Sequence, residues 1–335
     1  MSASTGVVIV SYHSAECVAA CLRSVLLHFD EVVVVDNGST DGSAGQARSL
    51  PVPRGKRVDV WEAGRNLGFA GGINAGVRRL TTSNILVLNP DVELPPDTPI
   101  RRTLEDALSL EGTGAAAGVL REPGLGPQTG FTVRMLPRAL DLILEALGVN
   151  ALWPSNPVNV RYRCLDLDLH QAQQVQQPAG AFFAFRREAW EQLGGWDEQF
   201  YPVWFEDVDF CRRLLASGWK IRLAPEARAL HTGGHSVGKL PSAERASYWY
   251  GSLLRYSAKH FGPWRTRVVA AAVLLGTTGR MFFHCLHRRR EAVGAFTASA
   301  GIAARCLMTG RAPSAPAGGS PRANQGLTTR HLHGL

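Results

Sequence analysis

Several short stretches of this 335-residue sequence carry side chains suited to phosphates, metals and protons. Asn89-Pro90-Asp91 directly follows the apolar run "ILVL". A hard divalent cation takes carboxylate oxygens and shares its shell with substrate phosphates, so one aspartate facing a diphosphate suffices. Asn89 binds metal less strongly but can hydrogen-bond a ribose or a phosphate; the plainer alternative for Asp91 is a turn cap. In "WFEDVDF", Glu206, Asp207 and Asp209 gather at a helix start, where the helix dipole favours acids in any case. Glu206 and Asp207 are candidates to face a cleft, where a carboxylate can take a proton from an attacking hydroxyl. Asp209 with Arg213 reads as an i,i+4 surface pair. In "HTGGHS", His231 and the rival His235 follow a strand, and either can complete a shell begun by Asp91.

Two glycine-bearing loops add to this set. Asp36 in "DNGSTDGS" fits an acceptor from a base or ribose equally with an ordinary Asx turn. In "RNLGFAGGINAG", Gly68, Gly71 and Gly72 allow close backbone approach, the next helix aims its N-terminal N–H groups at an anion, and Arg65 adds charge at the entrance. Close helix–strand packing asks for the same small residues. The first strand–helix junction, "VIVSYHSAECV", contains neither GxGxxG nor GxxxxGK[ST], which disfavours a dinucleotide turn and a P-loop ATPase.

The elements that position these groups follow from periodicity. "GVVIVSY" and "EVVVVDNGS" are β-branched runs that stop at polar residues, and Val18, Cys21, Leu22, Val25 and Leu26 recur between them at helical spacing. Apolar strands alternating with helices predict a parallel sheet covered on both faces. Its carboxyl edge then collects Ser11, Asp36, Gly64 to Asn66 and Asn89 to Asp91. A helix is expected from Pro95 and Pro96 to about Leu110, and residues 111–177 read only as a partly helical segment containing "RALDLILEALG". A strand and short helix ("FFAFRREAWEQLGGW"), an amphipathic helix with Phe210, Cys211, Leu214 and Leu215 inward, a strand from "KIRLAPEARALH" and an aromatic helix from Ser242 to Phe261 complete the body.

Hydrophobic content of 45% with 19% charged residues describes a globular chain. The net charge of +8 is local: from Arg265 onward ten arginines against one glutamate give +9, which leaves −1 for the rest. A basic, apolar-interleaved tail suits an anionic membrane surface and argues against nucleic acid as the partner. The apolar stretches Val268 to Gly279 and Ala292 to Ala304 each fall short of the ~20 residues of a membrane span and read as interfacial helices. The six cysteines contain no CxxC and read as small buried thiols, and "MSASTGVVIVSYH" has no signal-peptide pattern; the expectation is a cytoplasmic body, peripheral on the inner face of the cell membrane.

Taken together, "VVIVSYHSAE", "VVVVDNGSTDGS", "NLGFAGGIN", "LVLNPDVEL", "GAFFAFRREAW", "GGWDEQFYPVWFEDVDFCRRL" and "LHTGGHS" resemble the inverting family 2 glycosyltransferases, most nearly the rhamnosyltransferase-like branch acting on polyprenyl-diphosphate-linked sugars. The resemblance spans Gly6 to Ser236. It implies an α/β GT-A fold: a Rossmann-like nucleotide-binding half with a central mixed sheet, an acceptor half and, beyond them, a C-terminal helical extension. The boundaries expected are 1–240 for the GT-A domain (nucleotide-sugar half about 1–115, acceptor half about 116–240), 241–308 for the membrane-associating helices and 309–335 for a disordered tail.

By the same resemblance, Ser11, Asp36 and Asp41 contact the nucleoside, and Arg65, Asn66 and Gly68 lie near the diphosphate. Asp91 matches the last acid of the family's DxD motif, with Asn89 in its first place. Asp207 matches the catalytic base, with Glu206 beside it, and His231 a histidine that helps hold the metal. The implied cofactor is Mg²⁺ or Mn²⁺, the implied donor a nucleoside-diphosphate sugar such as dTDP-rhamnose, and the implied acceptor a polyprenyl-diphosphate-linked or glycan hydroxyl. Other hexosyl or galactofuranosyl transfer, or a non-catalytic sugar-nucleotide-binding relative, are the alternatives; the intact acidic pair argues against the last. A nucleotidyltransferase would need a glycine-rich basic loop after the first strand, which "SYHSAE" lacks.

Overall fold

The computed structural model describes residues 4–233, 238–286 and 290–314. The chain opens with β1 (Thr5–Ser11), α1 (Val18–His28), β2 (Glu31–Asp36), α2 (Ser43–Arg48), β3 (Arg57–Glu62), α3 (Gly68–Val77), β4 (Asn84–Leu88), the short β5 (Val92–Glu93) and α4 (Ile100–Ser109). β3-β2-β1-β4 are parallel neighbours, with Ser11 in register with Asp36 and Asp36 with Glu62, so their polar exits share one edge. Along these strands Val7, Ile9, Val32 and Val34 face one core while Val8, Val10, Val33 and Val35 face the other. Burial on both faces explains why the strands read as continuous apolar runs.

The sheet is mixed, as the family resemblance implies; the parallel pattern expected from periodicity holds for β3-β2-β1-β4 and fails beyond β4. β6 (Thr113–Glu122), β11 (Phe182–Arg186) and β12 (Lys220–His231) extend the order to β3-β2-β1-β4-β11-β6-β12-β5, and β11 runs antiparallel to both β4 and β6. β6 lies in the segment the sequence left unplaced. Its "TGAAAGVL" lacks the β-branched signature because the site demands small residues: a Cβ on Gly118 would stand 2.1 Å from the Ala227 carbonyl oxygen and 2.2 Å from the Phe182 ring. The same segment holds β7 (Gly126–Pro127), which pairs with β6, and β8 (Val133–Arg134), which pairs with β10 (Gln177–Pro178). α5 (Ala139–Leu147), α6 (Val149–Leu152), α7 (Pro157–Tyr162) and β9 (Gln173–Val175) fill the rest. α4 begins at Ile100 and not at Pro95, since residues before prolines are kept extended and "PPDTP" delays the first turn.

α8 (Arg187–Gln192) follows β11, and α9 (Glu206–Ala216) carries the acidic group. Asp209 is fully buried, not the surface residue expected. Its carboxylate meets Arg213 Nε at 2.7 Å, Lys259 Nζ at 2.7 Å and His260 Nε2 at 2.8 Å, the last two from the helix Ser242–His260. Burial pushes this carboxyl up, but the His260 hydrogen bond and the Arg213 and Lys259 charges outweigh it and hold the pKa at about 2. The reason is tertiary: the C-terminal helices cover this face of α9. They form a third core in which Phe205 and Val208 pack with Leu142, Leu253, Leu254, Tyr256 and Val269.

The two apolar stretches of the tail belong to longer helices, Gly262–Leu286 and Arg290–Thr309. The first is, by length and composition, apolar enough to cross a membrane: Gly262–Cys285 spans 24 residues and contains an 18-residue window of mean hydropathy 1.4. The residues flanking the apolar stretch contain no stop signal after Pro263, and a nucleated helix propagates through isolated arginines. Of the cysteines, Cys17 is half-buried and Cys285 exposed; the other four are buried. His235 and most of the expected tail lie outside the described residues.

Asp209→Asn strands Arg213 and Lys259 beside a neutral group, and breaking such a buried cluster costs about 3–5 kcal/mol. The wild-type contribution is full above about 3.8, the ordinary value, and is lost as pH falls toward about 2. The variant should therefore melt earlier at neutral pH by circular dichroism and lose less of its stability on acidification below about pH 4.

Candidate active site

The carboxyl edge of β1–β4 sets the first part of the site. Ser11 Oγ and Asp36 Oδ1 are buried and have no hydrogen-bond partner among the described residues, while Asp36 Oδ2 accepts from the Ser39 N–H at 3.1 Å. The turn reading of Asp36 therefore accounts for one oxygen and leaves the other open. Asp41 is exposed and already committed: its carboxylate accepts from the Ala15 N–H at 3.0 Å and the Ser43 N–H at 3.1 Å. Burial pushes its pKa up, yet these bonds and the Ser43 hydroxyl hold it below the usual range.

Asn37, which the sequence reading passed over, joins the two glycine-bearing loops. It accepts from the Leu67 N–H at 2.8 Å and donates to Asn66 Oδ1 and the Gly68 carbonyl, both at 3.1 Å. Asn66 Oδ1 also accepts from the Gly68 N–H at 2.7 Å, so Asn66 and Gly68 start α3 against the β2 exit. Gly68 has φ +76° with the Tyr201 ring 2.9 Å from where a Cβ would sit. Gly72 and Gly76 lie inside α3 against Val10 and Val8, so for them the packing reading holds. Arg65 is exposed beside this loop.

The second part is built where β4 meets β11. The Asn89 N–H donates to the Ala181 carbonyl at 3.0 Å, and the next residue, Gly180, donates its N–H to Asp207 Oδ2 at 3.0 Å. Asp207 Oδ2 also accepts from Gln177 Nε2 at 3.2 Å, and Oδ1 from the Val208 N–H at 2.8 Å. The loop that ends in Asp91 and the helix that begins at Glu206 thus meet across one strand pair. Before that helix, Trp204 (φ +76°) and Phe205 (φ +69°) adopt left-handed backbone, costing of order 1–3 kcal/mol each. Trp249 packs on both rings, and Phe205 also meets Tyr256, which supplies the compensating contacts.

The electrostatics separate the two acids. Burial, reinforced by the Asp207 charge, raises Glu206 well above the ordinary carboxylate range, and Glu206 Oε2 is buried with no partner. Asp207 keeps part of its surface open; burial raises its pKa too, while the Gly180 and Val208 N–H groups oppose the shift.

Asp91 is buried, and among the described residues its Oδ1 receives no hydrogen bond; His231 Nε2 stands 3.6 Å away. Gln128 fixes that imidazole. Its Oε1 lies 2.9 Å from His231 Nδ1, its Nε2 donates to the His231 carbonyl at 2.9 Å, and Phe131 stacks on the ring at 5.1 Å. With Nδ1–H donating to Gln128, the Nε2 lone pair faces Asp91. Gln128 and Gln177 carried no usable signal in the sequence, because each acts through a partner distant along the chain; Gly180 opens the stretch "GAFFAFRREAW", but its bond to Asp207 shows only in the fold.

Residues 6–194 match the Glycosyl transferase family 2 profile, and residues 167–309 match Glycosyl transferase family group 2. The chain is 29% identical over 273 residues to the N-acetylglucosaminyl-diphospho-decaprenol L-rhamnosyltransferase of Mycobacterium tuberculosis, covering 77% of this chain and 86% of that protein. It is 24% identical over 230 residues to the low-salt glycan biosynthesis hexosyltransferase Agl10 of Haloferax volcanii, covering 67% and 66%. Its fold is similar to mannosyltransferase PcManGT from Pyrobaculum calidifontis in complex with GDP-Man and Mn²⁺ (TM-score 0.52, 18% identity, 92% of this chain and 88% of that one). It is also similar to GalNAc-T7 with UDP, GalNAc and Mn²⁺ (TM-score 0.57, 14% identity, 93% and 58%). The mixed sheet, the polar strand exits and the family match agree: this chain belongs to glycosyl transferase family 2 and is a glycosyltransferase of the GT-A fold.

Proposed function

We propose that this glycosyltransferase is a metal-dependent inverting enzyme that transfers L-rhamnose from a nucleoside diphosphate to a hydroxyl of a polyprenyl-diphosphate-linked acceptor. The observation that carries the reading is the set of buried, unpartnered oxygens on Ser11, Asp36 and Asp91 along one sheet edge, joined to Asp207 through Ala181 and Gly180. Buried polar atoms without partners are costly unless a ligand supplies them. The choice of sugar and acceptor is supported by similarity to the mycobacterial relative named as an N-acetylglucosaminyl-diphospho-decaprenol L-rhamnosyltransferase.

The side chains fit a divalent cation. Asp91 offers an open carboxylate oxygen and His231 a fixed imidazole, and among the described residues no cluster of three or more His, Cys, Asp or Glu is present. Such a sparse protein shell suits a cation that completes its coordination with phosphate oxygens and water. When bound, it neutralises charge on the departing nucleoside diphosphate. Ser11 and Asp36 hold the nucleoside, with Asn89, Arg65 and the start of α3 toward the phosphates. Asp207 takes the proton of the acceptor hydroxyl; its raised pKa makes it a stronger base, and its Gly180 and Gln177 bonds fix its aim. Glu206, more deeply buried beside it and with its pKa raised by burial and the Asp207 charge, takes no part in the proton transfer. Attack from the Asp207 side, opposite the leaving diphosphate, inverts the anomeric centre.

Membrane association is part of the same reading, and the helices support it better than the arginine count alone. Trp264, Leu275, Phe282 and Met308 stand exposed on the two C-terminal helices, while Val269, Val273 and Ala303 are buried in the third core. Removing the tail would therefore strip that core, so surface substitution is the cleaner test.

Asp207→Asn should lower turnover by about 10²- to 10⁴-fold with nucleotide affinity within a few-fold. The assay offers dTDP-rhamnose and other nucleotide sugars with a short-chain polyprenyl-diphosphate N-acetylglucosamine; undiminished turnover would reject the base assignment. Asp91→Ala and Gln128→Ala should each weaken Mn²⁺ binding in the presence of UDP by about 10- to 100-fold in calorimetry, and an unchanged titration would remove them from the metal site. Leu275→Glu with Phe282→Glu should leave the melting temperature nearly unchanged and reduce co-sedimentation with anionic vesicles.

A further inference from the structure

The segment the sequence left unplaced contains a cation that the described fold does not neutralise. Its neighbours Arg161 and Arg163 pair with Asp141 at 2.5 Å and Glu145 at 3.1 Å. Arg134, half-buried on β8, makes no ion pair among the described residues. Its Nε donates to the Gly130 carbonyl at 2.8 Å and its guanidinium carbon lies 5.9 Å from the centre of the Phe131 ring.

Two contacts locate this charge. Phe131 is the ring that stacks on His231, so Arg134 adjoins the Asp91–His231 side. Arg134 is also in register with Gln177, whose side chain donates to Asp207 and whose Oε1 is buried without a partner. Asp207 feels the Arg134 charge, which opposes the rise of its pKa. The guanidinium thus lies between the two acidic centres. Desolvating a cation without a counter-ion is unfavourable. The planar fork of an arginine matches two phosphate oxygens at once.

We propose that Arg134 is an anion-binding residue of the active site that receives a diphosphate group. The inference rests on the glycosyltransferase reading above. Two substrates of that reaction supply the same chemistry, the nucleoside-diphosphate donor and the diphosphate-linked acceptor. In either case Arg134 acts by neutralising phosphate oxygens, leaving proton transfer to Asp207.

The test compares wild type with Arg134→Gln and Arg134→Lys, using calorimetry with UDP and dTDP in the presence of Mn²⁺, and kinetics with a short-chain polyprenyl-diphosphate N-acetylglucosamine. Loss of nucleoside-diphosphate affinity by tenfold or more in Arg134→Gln, partly restored in Arg134→Lys, assigns the donor's diphosphate. Unchanged nucleotide affinity with a tenfold rise in acceptor KM assigns the acceptor's. A variant that melts like wild type and matches it in both measurements overturns the proposal. If Arg134→Gln fails to fold, Arg134→Lys alone decides by the same two readouts, with a threefold loss as the threshold. Wild-type protein that neither binds a nucleoside diphosphate nor transfers any sugar refutes the functional reading itself, a result distinct from failure of Arg134 alone.

Discussion

The antiparallel pairing of β11 with β4 is the contact on which the site depends. Phe182 to Arg186 lie in register with Leu88 to Asn84, and the Asn89–Ala181 bond continues that ladder past the strand end. One residue further, Gly180 holds the Asp207 carboxylate. This pairing, together with that of β12 and β5, fixes the loop that carries Asp91 relative to the helix that carries Asp207. A one-residue slip would turn every side chain of β11 to the opposite face. Phe182 and Phe183, buried in opposite cores, make such a slip unfavourable.

The C-terminal helices have a structural role besides any membrane contact. They hold the turn that launches α9: Ser252 donates to the Val203 carbonyl at 3.1 Å, Trp249 packs on Trp204 and Phe205, and Lys259 and His260 reach Asp209. Left-handed backbone at two aromatic residues persists only when surrounding contacts over-determine it. α5 belongs to the same unit, since Leu142 and Ala146 share that core, and Gly276 approaches Ala146 too closely for any side chain. The helical unit and the acidic pair are therefore one mechanical assembly.

Each cation near the site has a different status. Arg213, Lys259 and His260 are bound to Asp209 and stabilise the scaffold, whereas Arg65 and Arg134 make no ion pair among the described residues. An active site that receives a diphosphate needs positive charge not already neutralised by the fold, and such charge is expensive to maintain without a ligand.

Much of the site was legible because its chemistry is concentrated in short motifs. The first β–α–β unit, the polar exits at Ser11, Asp36 and Asp91, and the acidic start of α9 follow from apolar runs, helical spacing and residue type, all of which act within a few positions. The sequence alone thus determined the polar edge of the first four strands and the residues on it. Tertiary structure alone decided what depends on distant partners: that alanine-rich β6 is a central strand, that β11 reverses direction, that Asp209 is buried against Arg213, Lys259 and His260, and that Gln128 holds His231. The physical reason is that strand pairing and burial are set by what packs opposite. Gly118 gives no local sign that the Ala227 carbonyl and the Phe182 ring will lie against it.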